Sequence, residues 1–429
     1  MVTTEEAAEG AKRASFSLSA LPLAMRNEAL AQIAKRLQAR RSEIIAANDQ
    51  DMEDATCNSL AAPLLKRLRY DSSKIDESML QIDSLIGQED PIGKVLSRTE
   101  LDAGLILEKV SCPIGVIGIV FESRPDALVQ ISTLCLKSGN AVLLKGGSEA
   151  RHTNEALAKT INEAITKVDP RFQGAVHLIS TREEFRSLLV LDGLVDLIIP
   201  RGSNELVRSI QESTKIPVLG HAAGICHTYV HEDADIALAI KVCYDAKVQY
   251  PAVCNAVETL LVNEKTAKEF LPLMAAKLED AQVEIKGDVA TRGIIKAREA
   301  TISDWGKEYN DLILNIKVVG SLQEAVDHIN KYGSHHTDAI ITKSEETAES
   351  FMSLVDSASV MWNCSTRFAD GFRYGLGAEV GISTSKTHAR GPVGLEGLTI
   401  YKWKLRGDGQ IVADYVGKGA KEFTHRKLL

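Results

Sequence analysis

Residues 250–262 read YPAVCNAVETLLV, and Cys254 is the one cysteine of seven whose neighbours suit the presentation of a thiol to a reactant. Upstream, DIALAIKVCYDAK has the character of a helix, and Pro251 disfavours helix in the residue before it. Downstream, AVETLLV is rich in strand formers. The thiol therefore falls on a short loop held between two rigid elements, although free cysteines in general are among the most buried residues. A thiolate attacks activated acyl groups, and the resulting thioester accepts hydride, so a loop cysteine facing a nicotinamide suits an acyl-reducing enzyme. The other six, at 57, 112, 135, 226, 243 and 364, stand singly, with no CxxC pair and no spacing to histidine of the kind that suggests zinc. That spacing predicts free thiols and no zinc site, as expected of a reducing compartment.

The elements that must position this loop are readable from pattern. The chain has 429 residues, 45% hydrophobic and 25% charged, which predicts two domains or one domain with a large elaboration. The net charge of -8 offers polyanions no attractive field, so nucleic acid is not an expected partner and any bound phosphate needs local groups. The stretch IGVIGIVF is too short to cross a bilayer, and MVTTEEAAEG is acidic and lacks an apolar signal core. A cytoplasmic protein without a membrane partner is expected. The first ninety residues read as helices, with Leu30, Ile33, Leu37 and Ile44 near one apolar face. Strands are predicted at 116–121, 141–145, 175–179 and 195–199 with helices between, the rhythm of a parallel sheet wrapped in crossover helices. The rhythm repeats after residue 220, which predicts two α/β lobes with a cleft between them. The tail from Lys404 is glycine-rich and charged and is expected to be loosely held.

Five ordered motifs, PIGVIGIVFESRP, SGNAVLLKGG, DLIIPRGSNELV, CNAVETLLVN and HARGPVGLEGL, make the chain resemble the aldehyde dehydrogenase superfamily. KIPVLGHAAGICHTYV, NCSTRFADG and GLGAEVGISTSKTHARGP bring it nearest to a branch that reduces an acyl phosphate. The resemblance runs from about residue 5 to 412 and implies NADPH-dependent reduction of L-glutamyl 5-phosphate to glutamate 5-semialdehyde and phosphate. The implied reduction is the second step of proline synthesis from glutamate, and its semialdehyde product is expected to cyclise to pyrroline-5-carboxylate. No kinase-like segment precedes the motifs, so a monofunctional reductase is expected.

Residue by residue, the resemblance makes Cys254 the nucleophile that forms the thioester. Hydrolytic relatives keep a water-activating glutamate where this chain has Val218, so its thioester is expected to meet hydride and phosphate, not water. Glu258, the nearest carboxylate in sequence, is expected to be structural. ESRP stands where oxidative relatives hold an oxyanion-binding asparagine. Ser123 or Arg124 takes that role, with the substrate phosphate an equal possibility for Arg124. Lys145, ending the strand AVLLK, is expected at the adenosine ribose and its 2′-phosphate. Arg201, Gly202 and Ser203 lie between a strand and a helix start, where they would meet the cofactor pyrophosphate or ribose phosphate; a plain helix cap is the alternative. Glu308 aligns with the glutamate that holds the nicotinamide ribose, an exposed helix-edge carboxylate being the other reading. For the glutamyl group, NCSTRFADG offers Asn363, Ser365, Thr366, Arg367 and Asp370, with Arg367 assigned to the α-carboxylate. His388 is expected to be a structural hydrogen-bonding residue. No metal is expected.

The superfamily plan expects a Rossmann-like NADPH-binding domain over residues 1–222 and an α/β catalytic domain over 223–395. A small oligomerisation extension from 100–112 and 396–429, including a strand and the C-terminal tail, completes it. A homodimer or dimer-based tetramer and a transient contact with glutamate 5-kinase are the implied protein partners.

Overall fold

The computed structural model describes residues 3–202, 204–220 and 223–429, residues 62 and 63 for their backbone alone. Strands Val116–Phe121, Ala141–Lys145, Val176–Ile179 and Leu197–Arg201 form one sheet in which every pairing is parallel. Two of these runs, 116–121 and 141–145, are buried along their whole length, which is why they read as unbroken apolar stretches and not as alternating ones. The spatial order is 176–179, 141–145, 116–121, 197–201. The chain thus builds outward on one side of 116–121 and then returns to its other side. Such a reversal opens a crevice at the carboxyl ends of the two strands that flank it, here the ends leading to residues 122–124 and 202–204.

Helices between Thr4 and Ile86 cover this sheet, as the apolar spacing predicts. Leu30, Ile33, Leu37 and Ile44 are all fully buried. They do not share one helix, however, because the chain breaks at Arg40 between Leu23–Ala39 and Arg41–Cys57. Arg40 leaves helical geometry at φ -104° and ψ 16°, and its guanidinium reaches across to Glu163 at 2.5 Å.

A second sheet carries seven strands, all in parallel pairs, ordered 298–299, 284–287, 313–319, 257–263, 226–230, 337–341, 359–362. Val257–Asn263, the strand that follows Cys254, lies inside it and is buried throughout. Cys254 therefore sits at the amino edge of the second sheet, facing the crevice at the carboxyl edge of the first. The expected boundary at 395 shifts, since Ala378, Val380, Val393, Leu395 and Leu398 return to the apolar core of the first sheet.

Strands Val95–Asp102, Leu105–Pro113 and Thr399–Arg406 build a small antiparallel sheet, the last two paired from Thr399 with Pro113 to Arg406 with Ile106. The tail is tied down more than its composition predicts. Arg426–Lys427 pairs with 99–100, Thr424 donates to the Leu101 carbonyl at 2.8 Å, and the Tyr415 hydroxyl donates to Asp102 at 2.8 Å.

Candidate active site

Cys254 lies on a loop that is bonded from several sides. The helix Ile236–Val248 stops before it, Asn255 Nδ2 donates to the Ala369 carbonyl at 2.9 Å, and Thr366 Oγ1 donates to the Asn255 carbonyl at 2.7 Å. Below it, the Cys226 thiol donates to the Cys254 carbonyl at 3.2 Å. Gly224 packs so closely that an added Cβ would stand 2.4 Å from Cys254 Cα. Cys254 is half-buried, whereas Cys135, Cys226 and Cys243 are buried, and burial pushes those three thiols up.

The cleft in front of Cys254 has a volume of about 930 Å³ and takes residues from both sheets, among them Arg124, Arg201, Gly202, Glu308, Arg367 and Arg373. Burial holds Arg201 below the usual guanidinium range, and the neighbouring Arg124 adds to this. Glu379, Asp126 and Cys254 act in the opposite sense. Arg367 is buried and likewise lowered, first by desolvation and then by Arg373, against Asp370 and Cys254. Its Nε donates to Gln249 Oε1 at 3.0 Å, and among the described residues the outer nitrogens take no hydrogen-bond partner. Glu308 accepts from Asn204 Nδ2 at 3.1 Å, joining the segment before the strand 313–319 to the helix start after 197–201.

A second cavity of about 780 Å³ adjoins the first along Leu64, Phe121 and Glu122, at the carboxyl ends of the first sheet. Lys145, Glu149, Arg182 and Ser209 line it. Lys145 is buried, which lowers its ammonium, and it donates to the Gly146 carbonyl. Its floor is glycine for a steric reason: a Cβ on Gly146 would lie 2.2 Å from Asn154 Nδ2, and one on Gly147 would lie 2.1 Å from Glu149 Oε1.

Several sequence expectations change here. Ser123 does not face Cys254. It holds a positive φ of 41°, lines the second cavity, and spends both its N–H and its hydroxyl on Glu149 Oε1 at 2.7 and 2.6 Å. Arg124 alone of that pair reaches the cleft. Asn363, Ser365 and Thr366 do not line it either, because their polar atoms serve the backbone. Asn363 bridges the Thr342 N–H and carbonyl at 3.1 and 2.9 Å, Ser365 accepts from the Arg367 N–H at 3.3 Å, and Thr366 is committed to Asn255. Arg367 and Asp370 are the members of that motif that line the cleft. Ser203 lies outside the described residues.

Val218 forms a bridge with Ile198 and packs against the first core. Glu258 is structural: it pairs with Lys247 at 2.8 Å and accepts the N–H groups of Tyr309 and Asn310. Burial pushes Glu258 up and Lys247 down. The exposed His388 has its Nε2 2.9 Å from the Gly397 carbonyl. Sequence reasoning passed over Glu149, Arg182, Arg373 and Gly224. The strand-to-helix turn STRE was a usable signal for Arg182, while nothing local marks the others.

The sequence model of the aldehyde dehydrogenase family matches residues 2–300, and the chain belongs to that family. Gamma-glutamyl phosphate reductase from Pelotomaculum thermopropionicum is 59% identical over 99% of this chain and 97% of its own length. The protein of the same name from Acetivibrio thermocellus is 56% identical over 100% of this chain and 99% of its own. The solved structure of gamma-glutamyl phosphate reductase from Thermotoga maritima superposes with a TM-score of 0.93 at 40% identity, covering 95% of this chain and 99% of that one. An acetylating aldehyde dehydrogenase from Geobacillus thermoglucosidasius shares the fold, at a TM-score of 0.66 and 16% identity over 95% of this chain and 97% of its own. The chain is thus an oxidoreductase that shares the branch of the first three. Among the described residues no helix is long and apolar enough to cross a membrane.

Proposed function

We propose that the protein reduces L-glutamyl 5-phosphate to glutamate 5-semialdehyde with release of phosphate, using NADPH, in the synthesis of proline from glutamate. The observation that carries this reading is a half-buried thiol, Cys254, in an arginine-lined cleft that continues into a glycine-floored cavity at the strand ends. Cys254 Sγ attacks the acyl carbon; the C–S bond forms, the C–O bond to the phosphoryl group breaks, and phosphate departs with the electron pair. When bound, the reduced nicotinamide supplies a hydride to the thioester carbon. The tetrahedral alkoxide left on Cys254 then reforms its C=O bond and expels the thiolate as the aldehyde forms, and the product closes to pyrroline-5-carboxylate with loss of water.

The residues present fit a dinucleotide. A parallel sheet with a reversal of strand order commonly binds one there. Gly146 and Gly147 line that cavity and let the chain pass close to Asn154 and Glu149, whose side chains an added Cβ would meet. Lys145, Glu149 and Arg182 would hold the adenosine end, with Arg182 at the 2′-phosphate, and Gly202 and Glu308 would hold the nicotinamide end. Arg367 takes the α-carboxylate of the substrate. Val218, apolar where hydrolytic relatives hold glutamate, supports transfer to hydride and phosphate over hydrolysis. The edge strand Thr399–Arg406, with Tyr401 and Trp403 half exposed, supports pairing with a second copy.

The test runs the reaction backwards: pyrroline-5-carboxylate and NADP are supplied and NADPH is followed by absorbance. Turnover that requires phosphate and disappears in Cys254→Ser is expected. Phosphate-independent turnover, or full activity in the serine variant, refutes the reading.

A further inference from the structure

Arg201 was expected at a cofactor phosphate, yet it and Arg124 both line the Cys254 cleft and neither lines the adjoining cavity that holds Lys145. We propose that Arg201 and Arg124 together form the phosphoryl subsite, binding the phosphate of the acyl phosphate in one direction and inorganic phosphate in the other. The proposal rests on the reading of Cys254 as the acyl acceptor.

The two guanidiniums leave the carboxyl ends of the strands 197–201 and 116–121, the pair that flanks the reversal of strand order. That topology sets two like charges on the wall of one cleft, and Arg124 adds to burial in lowering the Arg201 guanidinium. Among the described residues neither forms a salt bridge; the Arg201 side chain makes one long hydrogen bond, to Gln130 Oε1 at 3.5 Å, and Arg124 makes none. Glu379 and Asp126 act on Arg201 in the opposite sense to Arg124. Assembling cations in a half-buried cleft is unfavourable unless an anion completes the set, and paired guanidiniums match the oxygens of a phosphate. The stem of Arg201 runs past Gly381, where a Cβ would stand 3.7 Å from its Cγ, so the side chain is held against the wall. Arg367 arrives from the opposite lobe on its Gln249 tether and stays available for the carboxylate. In the forward step the subsite receives the phosphate as its C–O bond breaks. In the reverse step it holds the phosphate whose oxygen attacks the thioester carbon, forming C–O as C–S breaks and the thiolate returns to Cys254.

Two measurements test this. In the reverse assay, Arg201→Gln and Arg124→Gln are expected to raise KM for phosphate by about ten- to hundredfold, with KM for pyrroline-5-carboxylate and NADP little changed; Arg367→Gln should do the opposite. Without cofactor or substrate, Cys254 in the wild type should react faster with anionic iodoacetate, relative to neutral iodoacetamide, than it does in Arg201→Gln. Inorganic phosphate should slow the iodoacetate reaction in the wild type and not in the variant. If Arg201→Gln folds poorly, Arg201→Lys and Arg124→Gln carry the same comparison. An unchanged phosphate KM, or a rise confined to NADP, overturns the assignment even where wild-type turnover needs phosphate. If turnover ignores phosphate but the alkylation ratio responds, the anion site stands and the proposed reaction fails.

Discussion

Gly224→Ala tests whether the nucleophile loop is held by close backbone packing. An added Cβ would lie 2.3 Å from the Cys254 carbonyl oxygen, 2.4 Å from its Cα and 2.5 Å from its Cβ. Carbon atoms reach their optimum separation at about 3.5–4.0 Å, so Cys254 must retreat by roughly 1 Å. It has little freedom to do so, because Cys226 and Thr366 bond the loop from other sides. A displacement of about 1 Å at the reacting atom costs on the order of a hundredfold in rate, or about 2.7 kcal/mol of barrier. Strain in a filled site adds about 1–3 kcal/mol of destabilisation. The assay is kcat/KM in the phosphate-dependent reverse reaction beside a urea unfolding curve, with the iodoacetamide rate at Cys254 as a direct probe of the thiol. Gly193→Ala is the control, since a Cβ there meets nothing within 4 Å. If Gly224→Ala turns over like the wild type, or loses activity only in proportion to the unfolded fraction, the reasoning is refuted.

Arg182→Gln should weaken NADPH relative to NADH by about tenfold, because a charged hydrogen bond to a 2′-phosphate is worth about 1.5–3 kcal/mol; equal loss with both cofactors places the phosphate elsewhere. His328 supplies a pH prediction. It is buried against Trp305 and Tyr332, and burial with the nearby His227 lowers it from 6.5 to about 3. The unfolded chain then binds the extra proton first, so this stabilisation is present above pH 6.5 and is lost as pH falls towards 3. Between pH 7 and 5 the loss is about 2 kcal/mol from this group, and His328→Phe should flatten the slope of unfolding free energy over that range. An unchanged slope contradicts the assignment.

Much of the fold was legible because each element obeys a local rule. The strands 116–121 and 141–145 stand where unbroken apolar runs placed them, and the loop around Cys254 lies between the helix and strand its neighbours imply. Arg40 shows the limit: a continuous helical pattern breaks at this residue, whose side chain pairs with Glu163 far away in sequence. The return of residues 378–398 to the first core was equally hidden, since an apolar side chain does not state which sheet will cover it.

The site divides along the same line. By itself the sequence determined the two α/β units and, through ordered motifs, Cys254 as the candidate nucleophile and Val218 as an apolar residue where a base was possible. The two units follow from periodicity along the chain, while the roles of Cys254 and Val218 are what the resemblance of the ordered motifs implies. Only the tertiary structure decided which polar side chains remain available. Asn363, Ser365, Thr366 and Ser123 all looked fit to bind a ligand, yet backbone groups or Glu149 engage each of them. Arg124, Arg201 and Arg367 instead converge on one cleft from separate segments. The physical reason is that a buried polar atom must satisfy its hydrogen bonds with whatever the fold brings near, and that partner is set by packing across the whole chain.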